Sequence, residues 1–65
     1  MKGYLVKDKS GELIVFYGNK PEKETWYWDS WDAKFFGIDE APEGLNPRWE
    51  DNEPIEIEIE IHARS

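Results

Sequence analysis

The chain has no cysteine, a single histidine and a single methionine, and its longest apolar run is the five residues 13–17. Without cysteine no disulfide can staple the fold, and no thiolate zinc site or cysteine nucleophile exists. Without a long apolar run there is no segment of the roughly 18 residues that a membrane-spanning helix needs. The opening residues Met1-Lys2-Gly3-Tyr4 lead into only a few apolar side chains before Lys7 and Asp8. That is too short for the core of a secretory signal. A reducing, cytoplasmic setting is therefore expected. Aliphatic side chains are also scarce, since apolar residues are only 38% of the 65. A domain this short buries only about 60% of the surface that its unfolded chain exposes, so its core has little margin.

Positive charge is scarce in one half. Residues 1–38 balance six basic against six acidic side chains. Residues 39–60 carry nine acids and only Arg48 against them, and the whole chain has a net charge of −7. Such a field disfavours binding to nucleic acid phosphates or anionic lipid and suits a basic protein surface.

What the chain has is aromatic bulk and strand periodicity. Tyr4, Phe16, Tyr17, Trp26, Tyr27, Trp28, Trp31, Phe35, Phe36 and Trp49 supply the volume that the aliphatics do not. Residues 4–7 and 13–17 are rich in strand formers, and Asp8-Lys9-Ser10-Gly11-Glu12 lies between them. A three-residue loop closing on glycine predicts a hairpin with Gly11 in the left-handed position and Asp8 opposite Glu12. Counting back pairs Val6 with Ile14 and Tyr4 with Phe16 on one face, and Leu5 with Val15 on the other. The second strand is apolar on both faces, which predicts a central position. Residues 18–23 read as a polar loop, 25–28 as a strand, 29–32 as a turn and 34–38 as a fourth strand. Residues 39–53 read as a loop with at most one helical turn near 47–51, pinned by Trp49. Pro54 then opens a strict alternation from Ile55 to His62, a strand with isoleucines on one face and glutamates on the other. Repulsion along that face predicts a neighbouring strand that offers lysine, either Lys7 or Lys34. The expectation is one domain over residues 1–65, all-β. It is a small four- to five-stranded antiparallel sheet or an open barrel resembling SH3 domains, with at most one short helical turn.

No constellation for catalysis, metal or cofactor emerges. Glu56, Glu58, Glu60 and His62 share a strand face, but i, i+2 neighbours sit about 6.8 Å apart, too far for one strand to ligate one ion. Serines 10, 30 and 65 lie in turns or at the terminus with no histidine partner in view, and glycine loops for phosphate are lacking. No enzyme activity and no cofactor are expected. Trp26, Trp28, Trp31 and Trp49 carry two readings. They form the core of an aliphatic-poor domain, or some of them stay exposed as anchors for a partner, where tryptophan is enriched. The acidic face Glu56, Glu58 and Glu60 likewise has two readings. It keeps an edge strand soluble, or it imitates every second phosphate of a nucleic acid strand and occupies a basic groove on a DNA-handling protein.

Two stretches carry a resemblance. Met1-Lys2-Gly3-Tyr4 followed by residues 7–13, and Trp49-Glu50-Asp51-Asn52-Glu53-Pro54 running into the acidic strand, resemble short uncharacterised proteins encoded by phages and mobile elements of gut bacteria. The resemblance covers a third of the chain. It implies a bacterial cytoplasm and a phage context, and it brings no activity with it. The functional expectation is a small non-enzymatic protein-binding module. The alternatives are the acidic mimic or a structural domain with no activity of its own.

Overall fold

The computed structural model describes residues 1–31 and 34–59. Six strands follow in order: β1 (Lys2–Lys7), β2 (Leu13–Tyr17), β3 (Glu22–Lys23), β4 (Trp28–Asp29), β5 (Phe35–Ile38) and β6 (Ile55–Glu58). Four form an antiparallel sheet in the order β5-β2-β1-β6, and β3 with β4 forms a separate two-stranded ribbon. The sheet is open and does not close into a barrel. Among the described residues there is no helix.

The hairpin follows the chemistry of its loop. Asp8 N–H donates to the Glu12 carbonyl at 2.9 Å, and Gly11 N–H donates to the Asp8 carbonyl at 2.9 Å. Gly11 stands at φ +95°, where a side chain would be strained. Val6 then faces Ile14, Tyr4 faces Phe16 and Leu5 faces Val15, the register that the loop length dictates.

Alternation sorts the sheet into two faces. One carries Tyr4, Val6, Ile14 and Phe16, which pack with Trp28 and Trp49. The other carries Leu5 and Val15, both buried, with Ile55 and Ile57 of β6. Gly3 makes room there. A β-carbon on it would meet Ile59 Cγ1 at 2.8 Å and Ile57 Cγ1 at 3.3 Å.

Two expectations need correction. Residues 25–27 are a bend, and the ribbon strands are Glu22–Lys23 and Trp28–Asp29. Pro21 is fully buried and Lys23 is anchored from across the chain, so tertiary contacts outweigh the strand propensity of Thr25-Trp26-Tyr27. Residues 48–51 form one turn, with Asp51 N–H donating to the Arg48 carbonyl at 3.1 Å. The Asp51 carboxylate accepts the Arg48 N–H at 3.0 Å, which satisfies the turn locally without a helix. Finally, β6 does lie beside the strand that holds Lys7, but the cation on its glutamates is Lys2, 2.7 Å from Glu56. Register decides this. Lys7 shares its face with Leu5, opposite the glutamates, and Lys34 leads into β5 at the other edge of the sheet. Glu60, Ile61 and His62 lie outside the described residues.

Candidate functional site

The β3–β4 ribbon is the part of the molecule that the sheet does not absorb, and distant residues hold it in place. The Lys23 ammonium donates to the Trp49 carbonyl and, at 3.2 Å, to that of Asp51. It also sits 4.4 Å from the centre of the Trp49 ring, a cation–π contact. Trp28 N–H donates to Asp8 Oδ1 at 3.4 Å, and the Lys9 ammonium lies 3.9 Å over the Trp26 ring. The turn of the β1–β2 hairpin therefore grips the tip of the ribbon. Burial pushes the Asp8 carboxyl above its ordinary range, and nearby Glu12 adds to this, while the Trp28 N–H pulls the other way.

The four tryptophans divide. Trp28 is 5% exposed and belongs to the core, and Trp49 is half-buried against it. Trp26 is 62% exposed and Trp31 is 93% exposed, with Tyr27 at 49% beside them. A strand over 25–28, as the sequence predicts, would put Trp26 and Trp28 on one face. The bend at 25–27 separates them, turning Trp28 inward and leaving Trp26 at the ribbon tip.

Trp31 borders an open cleft of about 390 Å³ whose other walls are Lys20, Glu22, Glu24, Asp29 and Ser30. Asp29 also accepts the Ser30 N–H at 2.9 Å through Oδ1. An almost bare indole beside three carboxylates is a setting for a cation, because ring face and negative charge both attract it. Glu22 and Glu24 do not stand out in the sequence as site residues. Their grouping depends on the pairing of β3 with β4, which places Asp29 opposite Glu22. A second open cleft of about 490 Å³ lies nearby between Pro21, Lys23, Trp28 and Pro54, and the Lys20–Glu53 ion pair, 2.7 Å long, lines it.

On β6, Glu56 meets Lys2, and Glu58 meets the amino group of Met1 at 2.7 Å. Among the described residues no group of three or more acidic or histidine side chains is placed to hold a metal ion. No helix among them is long and apolar enough to cross a membrane. No family model matches the chain, and no curated protein or solved structure matches it either.

Proposed function

We propose that this chain is a small, non-enzymatic protein-binding module that takes a basic side chain of its partner between Trp31 and the carboxylates of Glu22, Glu24 and Asp29. The observation that carries this reading is the 93% exposure of Trp31 in a chain whose core, short of aliphatic side chains, depends on aromatic rings. A large ring left in water is a poor use of a scarce core residue, and tryptophan is among the residues that anchor interfaces. Trp26 and Tyr27 extend the surface at the ribbon tip. An arginine suits the cleft best, since its planar guanidinium stacks on an indole and bonds carboxylates at its edge. The acidic half of the molecule would speed the approach of a basic partner.

The nucleic-acid mimic needs an uncompensated row of carboxylates along β6. Lys2 and the Met1 ammonium already meet both of the glutamates that β6 carries among the described residues, so the binding module is preferred.

The test is capture from a bacterial lysate at low salt, as the resemblance to phage-encoded proteins suggests. Three baits are compared: the native chain, Trp31→Ala, and Glu22→Gln with Glu24→Gln. The expected result is a protein retained by the native chain, eluted by salt and lost from both variants, while their thermal midpoints stay within a few degrees of native. Identical retention by all three baits overturns the reading.

A further inference from the structure

The two edges of the sheet are built differently. Ile59 N–H donates to the Met1 carbonyl at 2.7 Å, which fixes the alternation along β1 and β6. The backbone groups that β6 turns outward are therefore those of Glu56 and Glu58, so any strand arriving there meets carboxylates. β5 has no such guard. Phe35-Phe36-Gly37-Ile38 carries no charge and no proline. Tyr17 N–H donates to the Lys34 carbonyl at 3.1 Å, and the same alternation makes Phe36 and Ile38 the residues bonded to β2. Phe35 and Gly37 consequently turn their N–H and C=O groups away from the sheet. Among the described residues none bonds to those groups. Phe35 is 54% exposed and Phe36 is 42% exposed, one on each face of the sheet.

We propose that the β5 edge is a homodimer interface, pairing antiparallel with β5 of a second copy about a two-fold axis through Phe36. In this register Phe36 faces the partner's Phe36, and Phe35 faces the partner's Gly37, twice by symmetry. The segment is its own complement. Gly37 has open space on its side-chain face, with Leu13 O at 3.8 Å the nearest atom to a β-carbon position. A phenylalanine ring from across the interface can lie over it, the pairing that compensates a strand glycine. Both Phe35–Gly37 pairs exchange backbone hydrogen bonds, and the outward groups of β5 are all satisfied. Charge favours this edge over the other. The β6 glutamates stand three strand spacings away, about 14 Å, beyond a Debye length of about 8 Å at physiological salt. The contact is small, so a dissociation constant between micromolar and millimolar is expected.

The experiment is sedimentation velocity over a concentration series. The native chain should double its mass as concentration rises, and more readily at higher salt. Phe36→Lys and Phe36→Asp should each be monomeric, because like charges then face each other across the axis. An equimolar mixture of the two should dimerise again. Gly37→Pro removes only an outward N–H and should give a folded monomer by circular dichroism. It serves as the second probe if the charged variants unfold. A native chain that stays monomeric at millimolar concentration overturns the proposal. So does a dimer that persists in Phe36→Lys or Gly37→Pro, or folded charge variants that fail to recombine.

Discussion

Two glycines and one aspartate hold the sheet's geometry at the scale of single residues. Gly11 sits at φ +95° with no atom within 4 Å of a β-carbon position, so the cost of a side chain there is conformational alone. Gly11→Ala should lower stability by about 1 kcal/mol or somewhat more, and D-alanine at the same position should restore it. Urea midpoints of the two chains check this, and equal midpoints would refute it. Gly3 is the opposite case, an ordinary strand residue crowded by Ile57 and Ile59. Gly3→Val should cost about 1–3 kcal/mol through overpacking, read from the same midpoints. Asp8 carries a carboxyl that burial holds above its ordinary value of 3.8. Its native state takes up a proton before the unfolded chain does, so this residue opposes folding at neutral pH. That penalty starts to shrink as the pH falls through the raised value and is gone below the ordinary one. Asp8→Asn keeps an acceptor for the Trp28 N–H, and should melt higher than the native chain at pH 7. The gap should close on acidification; a gap that stays constant between neutral pH and pH 4 would contradict it. Gly11 could be foreseen because a turn of that length dictates its own dihedral. Gly3 and Asp8 could not, because their neighbours lie some fifty and twenty residues away.

Local alternation governs the elements that can be read from the chain. The β1–β2 register, the central place of β2 and the split of β6 into isoleucine and glutamate faces all follow from side-chain period and loop chemistry. The ribbon did not follow, since two-residue strands carry no periodicity, and Glu22–Lys23 looks like loop. The candidate cleft was legible only in part for the same reason. Trp31 stood out by its rarity, whereas its acidic neighbours are assembled by β3–β4 pairing. On the β1–β6 seam, the Lys2–Glu56 pair is exposed on both sides, so water and salt screen it. Pairing with Glu56 holds the Lys2 ammonium above its ordinary pKa of 10.5. Its contribution is therefore present at neutral pH and fades as pH rises through that elevated value. Lys2→Gln should produce a small loss of stability at low ionic strength that vanishes at about 1 M salt, where the Debye length is about 3 Å. Thermal melts at the two salt concentrations check this, and an effect of equal size in both would place the loss in packing instead.

Across the whole molecule, the tryptophans are sorted into a core pair, Trp28 and Trp49, and an exposed pair, Trp26 and Trp31. The double change Trp26→Phe with Trp31→Phe should leave stability nearly unchanged, shift the fluorescence emission to the blue and cut quenching by acrylamide. A large drop in thermal midpoint would mean that these rings support the fold. The strand order has a further consequence, for the time course of folding. β1 pairs on one side with its sequence neighbour and on the other with β6, where Leu5 meets Ile55 fifty residues along the chain. The hairpin can form within about 1–10 μs, but the far seam must first close a loop spanning nearly the whole chain. Folding should therefore take milliseconds or longer, slow for a chain so small, as in other β domains dominated by distant pairings. Both seams should then register in stopped-flow measurements. Gly11→Ala, in a hairpin formed before the barrier, and Ile57→Val, in the far seam that closes at it, should each slow refolding. An Ile57→Val chain that refolds at the native rate would show that this closure is not the slow step.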